Sequence, residues 1–151
     1  MRQVGTFGTC LPTAVSPGVV DNRSMSGVDT YSIDVAVQAR YIADQSAPDD
    51  HRYVFAYSIR IANVGRIAAR LISRHWIITD ANRKVQEVRG DGVVGEQPLL
   101  RPGEHFNYTS GAVIETAVGT MRGSYQMVAD DGHRFEAAIA QFTLSIPRTV
   151  H

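Results

Sequence analysis

An all-β sandwich of seven to eight antiparallel strands is the fold class this sequence predicts. Three observations point to it. Apolar residues recur at every second position, as in Tyr31, Ile33, Val35, Val37, Ala39, Tyr41 and again in Tyr53, Phe55, Tyr57, Ile59, Ile61. A period of two places alternate side chains on one buried face. Turn-forming residues punctuate the chain every 8 to 14 residues or so, and no stretch carries a helical period or an internal repeat, the pattern of a sandwich. The chain of 151 residues, 44% of them apolar, suits one domain with a packed core.

The first strand covers residues 31–41. A loop built on Pro48, Asp49 and Asp50 leads to the second, 53–61, and Asn63 and Gly65 mark the next turn. The third strand, about 67–79, holds the single tryptophan, Trp76. Its parity is inconsistent, because a regular strand would put Arg66, Arg70 and Arg74 on one face with Ile72, Trp76 and Ile78. A core face cannot carry unpaired arginines cheaply. A bulge near residues 73–75 is therefore expected, turning Trp76 inward and leaving Arg70 and Arg74 outside. Asp80, Ala81 and Asn82 turn into a short strand, about 84–90. Pro102 and Gly103 lead into a strand with Phe106 and Tyr108 on one face. Residues 120–128 align Met121, Gly123, Tyr125 and Met127. Asp131-Gly132 reads as a type I′ hairpin turn. The last strand carries Phe135, Ala137 and Ile139, then switches parity to Phe142, Leu144 and Ile146, which implies a second bulge. A tryptophan on the third strand fits an immunoglobulin- or fibronectin type III-like sandwich. One cysteine, Cys10, excludes an internal disulfide.

Residues 1–27 are rich in Gly, Ser, Thr and Pro and show no period. They read as a loosely structured, dispensable leader to a domain at 28–151, with Met25 as an alternative start. No apolar run reaches the ~20 residues needed to span a bilayer, and no signal peptide is visible, so a cytoplasmic location is expected. Fifteen basic residues balance fifteen acidic ones, which argues against nucleic acid or an anionic membrane as a partner. Seven basic residues do gather between Arg60 and Arg89. They read as a solvated strand face or as a patch for an acidic partner.

Gly90, Gly92 and Gly95 spell G-x-G-x-x-G, the pattern that cradles a pyrophosphate when a strand precedes it and a helix follows. Here Pro98, Pro102 and Gly103 leave no room for that helix, and the one lysine, Lys84, lies upstream. The glycines therefore read as backbone geometry, a turn or wide bulge with positive φ. Asp130, Asp131 and His133 form a weak oxygen-rich cluster that reads as turn chemistry, and no metal is expected. Glu104 and His105 point to opposite faces of a strand start. The hydroxyls at Thr109 and Ser110 read as exposed and have no recognisable base. No serine elbow is present, and no catalytic set or cofactor is expected.

The segments RYVFAYSIRIANVG (52–65), GDGVVGEQPLLRPGEHFNYTSGAVIET (90–116) and GTMRGSYQM (119–127) resemble the ApaG family, also called CorD. The likeness covers about residues 30–151 and includes Gly90, Gly92 and Gly95. It implies a fibronectin- or immunoglobulin-like sandwich and a bacterial cytoplasmic protein associated with cobalt resistance and magnesium efflux. Similar domains within F-box proteins imply a protein-binding module. The resemblance supplies no catalytic residues. The leading expectation is a non-catalytic interaction module whose protein partner docks on the face of Arg66, Arg70 and Arg74. The alternative is a sensor of a nucleotide polyphosphate, ATP or diadenosine tetraphosphate, held by main-chain N–H groups at Gly90, Gly92 and Gly95 with Arg89 or Arg101. Direct binding of Co²⁺ or Mg²⁺ would rest on the acidic hairpin tip alone.

Overall fold

The computed structural model describes residues 29–147 and two short segments, 3–4 and 12–13. Among the described residues ten strands follow one another: β1 (Gln3–Val4), β2 (Pro12–Thr13), β3 (Ile33–Tyr41), β4 (Tyr53–Asn63), β5 (Ala69–Asp80), β6 (Val85–Asp91), β7 (Leu99–Leu100), β8 (His105–Ile114), β9 (Val118–Ala129) and β10 (Arg134–Ser145). Two 3-10 turns, Ala43–Gln45 and Pro48–Asp50, shape the loop between β3 and β4. Apart from β1 and β2, the expected leader, with Cys10 and Met25, lies outside the described residues.

The strands form two antiparallel sheets. One runs β3-β4-β8, with β1 and β2 both on the outer edge of β8; the other runs β10-β9-β5-β6, with β7 also on β5. The first, second and fifth long strands thus face the third, fourth, sixth and seventh, the fibronectin type III arrangement. β3 pairs with β4 without interruption from Ile33↔Asn63 to Tyr41↔Phe55. That register keeps the alternating faces aligned, since a slip of one residue would turn every apolar side chain to solvent. Along one side of the sandwich β3 lies against β10.

The core sits between the sheets. Trp76 is 0% exposed and meets Tyr57 of β4 edge-on at 5.3 Å, Phe142 of β10 at 5.9 Å and Tyr125 of β9 at 6.5 Å. Ring pairs in such tilted and edge-on geometries add about 0.5–1.5 kcal/mol each beyond the area they bury. One side chain therefore ties both sheets together.

Both expected bulges are present. In β10 the register shifts between Ile139 and Phe142, which restores Phe142 and Leu144 to the core. In β5 the shift falls between Leu71 and Ser73, so Ile72 is the extra residue. This is earlier than the 73–75 expected from parity, and the difference has a consequence. Trp76 and Ile78 turn inward as expected, but so does Arg74, which stands opposite core-facing Tyr125. Arg74 was expected outside. It is tolerated within because main-chain carbonyls receive it, as described below.

Two further expectations are corrected. At the β9–β10 hairpin only Gly132 has positive φ, at 86°. Gly132 N–H donates to Ala129 O, and Ala129 N–H to His133 O, both at 2.8 Å. That is a type I turn closed by a left-handed glycine bulge, not a type I′ turn. Ser110, expected to be exposed, is buried, while its neighbour Thr109 faces out and shares a hydrogen bond with Ser58 at 3.0 Å.

Candidate functional site

The glycine stretch and the β5 bulge are built as one unit. A bulged residue leaves the ladder with unused main-chain groups, and the Ile72 carbonyl accepts both the Gly92 N–H and the Gln97 side-chain amide at 2.8 Å. The Leu71 N–H donates to Pro98 O at 3.0 Å. Between these ties the chain makes a tight turn. Val93 and Glu96 exchange N–H···O bonds of 2.8 and 2.9 Å. Val94 and Gly95 at its centre have φ of 44° and 83°, as a type I′ turn requires. Val94 is β-branched and uncommon at positive φ; it packs against the core beside the fully buried Val93.

Backbone contact demands glycine at one of the three positions, and a movable side chain crowds a second. At Gly92 φ is 62°, and a Cβ would come 2.3 Å from the Glu96 carbonyl oxygen. At Gly90 a Cβ would fall 2.8 Å from both terminal nitrogens of Arg74, which stands across the ladder. The missing side chain is the space the guanidinium occupies. From there Arg74 Nη1 donates to Asp91 O at 3.0 Å and Gly92 O at 2.9 Å. Arginine suits this task because its planar fork keeps its charge and addresses two acceptors at once. Nearby, the hydroxyls of Tyr108 and Tyr125 meet across the sheets at 2.6 Å. Burial pushes both phenols well above the ordinary tyrosine value, and the Arg74 charge acts in the opposite direction.

The consequence for anion binding is geometric. The amides of Gly92, Val93 and Glu96 are already donated to carbonyls. The chain runs on to the short strand β7, with no helix following. Arg89 pairs with Glu87 at 3.4 Å and Arg101 with Glu104 at 3.7 Å.

The three arginines proposed as a partner face do not form a row. Arg66 is exposed in the turn before β5, and Arg70 is exposed on β5, where its Nη1 donates to Gln97 O at 2.8 Å. Arg74 points to the opposite face.

The outer surface of β5, β6, β9 and β10 instead carries a polar network that sequence inspection missed. His75 Nε2 meets Glu87 Oε2 at 2.7 Å, and this hydrogen bond, more than Arg89, holds the Glu87 carboxyl below the usual range. Ser73 donates to Gln126 Oε1 at 2.7 Å, and Gln126 Nε2 to Glu136 at 3.1 Å. Alternate polar positions along each strand were the available signal, but only the pairing register joins them.

At the other hairpin, the Tyr31 hydroxyl donates to Asp131 Oδ2, and the His133 N–H donates to Asp131 Oδ1 at 2.9 Å. The His133 ring stacks on Tyr31 at 4.1 Å. Asp131 is thus committed within the protein. Among the described residues no group of three His, Cys, Asp or Glu side chains is placed to hold a metal ion. Among them, too, no helix is long and apolar enough to cross a membrane.

Comparison with known proteins places this geometry among relatives. The family model described as "ApaG domain" matches residues 43–129. Protein ApaG of Azoarcus sp. (strain BH72) is 63% identical over 127 residues, 84% of this chain and 100% of that protein. Protein ApaG of Stenotrophomonas maltophilia (strain K279a) is 61% identical over the same coverage. A Bordetella pertussis chain solved by crystallography under the name ApaA superposes with a TM-score of 0.78 at 56% identity, covering 81% of this chain and 99% of that one. These names state no reaction.

Proposed function

The chain belongs to the ApaG family, and we propose that it works as a non-catalytic, cytoplasmic interaction module that acts on divalent-cation homeostasis through a protein partner. The family resemblance supports the link to cobalt resistance and magnesium efflux. The observation that carries the reading is the closure of the glycine stretch. Arg74 fills the space at Gly90 and donates to two carbonyls, and three loop amides are bonded internally. A phosphate cradle needs those N–H groups turned outward. The loop is built instead as a stiff end to the sandwich.

The partner face is redrawn accordingly. Arg66 and Arg70 remain at the surface, and Arg74 leaves that face to brace the loop at Asp91 and Gly92. Exposed arginine is over-used at protein interfaces, and rim charges chiefly speed association in a salt-dependent way.

An amide NMR titration with ATP, diadenosine tetraphosphate, Mg²⁺ and Co²⁺ tests the reading. None of the four is expected to give saturating shifts. Micromolar binding of a nucleotide, with shifts centred on residues 90–95, would replace this reading with the polyphosphate sensor. The double variant Arg66→Glu, Arg70→Glu should keep the fold and weaken capture of a partner, most strongly at low salt, with the difference from the parent shrinking as salt rises. Unchanged capture would move the docking face elsewhere.

A further inference from the structure

The sandwich is closed on one side by β3 against β10. The opposite side presents the outer edges of β6 and β8, and these are treated differently. β6 is short and carries Glu87, Arg89 and Asp91 on its exposed positions, the charge pattern that discourages another strand from adding to an edge. β8 is ten residues long and reads HFNYTSGAVI, with no Asp, Glu, Lys or Arg. Its single histidine, His105, has its pKa lowered by burial and by the Arg60 charge, so it adds no charge near neutral pH. A long, flat, uncharged edge is a template for strand addition unless something covers it.

What lies on it is this chain's own N-terminal segment. Gln3 and Val4 pair antiparallel with Ala112 and Gly111, and Pro12 and Thr13 with Phe106 and His105. The two pairings do not fit one regular strand. Continuing the register of Gln3↔Ala112 would set Thr13 opposite Pro102, three positions from its observed partner His105. Pro12 also has no N–H to give. The two described pairings on this edge are therefore offset from each other by three positions. On its other side β8 pairs with β4 in unbroken register from Ile114↔Tyr53 to His105↔Ala62. β8 can thus support a continuous ladder along its whole length.

We propose that the outer edge of β8 is a strand-addition site, occupied in cis by residues 3–4 and 12–13 and open to β8 of a second copy when they are displaced. A β8–β8 pair about a two-fold axis is antiparallel and self-complementary, and it brings no like charges together. Main-chain bonds supply the contact, and the absence of charge removes the usual deterrent.

The test uses the full chain. Gln3→Pro, Val4→Pro and Thr13→Pro together remove every N–H in β1 and β2. Sedimentation is compared for the parent and this variant at matched concentrations. The parent should be monomeric and the variant should double in mass as concentration rises. Adding Thr109→Lys, which sets lysines close together across the two-fold, should return the variant to monomer. A variant that stays monomeric overturns the proposal. So does a dimer indifferent to Thr109→Lys, since the contact then lies elsewhere. Loss of the β-sheet circular dichroism signal in the triple variant also overturns it, because β1 and β2 would then be integral to the fold rather than a displaceable cover.

Discussion

The turn at residues 92–97 and the hairpin at 129–133 both reverse the chain at an end of the sandwich, and both rely on a left-handed glycine. They are braced from opposite directions. The first is held from beneath, by a core-facing arginine, the bulge carbonyl of Ile72 and contacts that leave no room for a Cβ at Gly92. The second is held from outside, by the Tyr31–Asp131 hydrogen bond and the stacked His133 ring, and a Cβ at Gly132 would meet nothing within 4 Å. Main-chain bracing in a crowded site tolerates no substitution, whereas side-chain bracing at the surface can be removed piece by piece. The two loops should therefore respond very differently to the same change.

The largest effect is expected for Gly92→Ala. Left-handed geometry costs a residue with a Cβ about 1–2 kcal/mol, and the Cβ would also lie 2.3 Å from a carbonyl oxygen that is part of the backbone. A total near 3 kcal/mol, read from the midpoint of urea unfolding, is expected; a loss below 1 would mean the turn is not rigid. Arg74→Ala comes next. It removes two hydrogen bonds from a charged donor, a class worth about 1.5–3 kcal/mol each at most, and about 2 kcal/mol is expected. A double-mutant cycle sharpens this. Gly90→Ala should destabilise the parent by about 1 kcal/mol and the Arg74→Ala background hardly at all, because neighbours that share a space couple. Equal effects in both backgrounds would show that the guanidinium does not need the room at Gly90.

Gly132→Ala isolates positive φ without crowding, and about 1 kcal/mol is expected. If it matches Gly92→Ala, the contrast between the loops fails. The smallest effect is that of Tyr31→Phe, and it is visible through pH. The Tyr31 hydrogen bond, ahead of the His133 N–H, holds the Asp131 carboxyl below its ordinary value. A depressed carboxylate contributes stability that is complete above the unfolded value of about 3.9 and is lost as pH falls through the lower folded value. The same bond raises the Tyr31 phenol, so its contribution is complete below the unfolded value of about 10 and is lost as pH rises through the folded one. Tyr31→Phe should flatten both limbs of the melting temperature against pH. Unchanged limbs would assign the acid limb to Glu87 and its partner His75 instead.

The strands were legible because alternation is a local signal, and residues 53–61 and 120–128 needed no knowledge of their neighbours. The bulge in β5 was legible as a necessity, since a regular strand would put Arg66, Arg70 and Arg74 on one face with Ile72, Trp76 and Ile78. Its position was not, because a bulge settles where its freed carbonyl finds donors, and those donors, Gly92 and Gln97, are far along the chain. The inward turn of Arg74 follows from that position. A sequence clue did exist: a glycine opposite an arginine across a ladder leaves space for the guanidinium, but seeing it requires the register. The G-x-G-x-x-G reading shows the same limit. The motif names a backbone shape, and whether its amides face a ligand or their own chain depends on what lies underneath. At Asp131-Gly132 the dipeptide indicated a hairpin, while the turn type depended on φ at Asp131, which the pair of letters does not specify.

Trp76 carries one more consequence. It is the only tryptophan in the chain, its indole N–H is buried with no partner among the described residues, and it touches tyrosine rings from both sheets. An indole in so dry a setting emits at short wavelength, and excited tyrosines at 5.3 and 6.5 Å transfer their energy to it almost completely. Parting of the sheets would let water reach the indole and remove its donors together, shifting the emission to the red and releasing tyrosine fluorescence. The molecule thus contains an optical gauge of inter-sheet distance at its centre, readable without any label. In each variant above, a red shift and a tyrosine signal that appear at the same denaturant concentration would indicate that the two sheets separate as one cooperative unit.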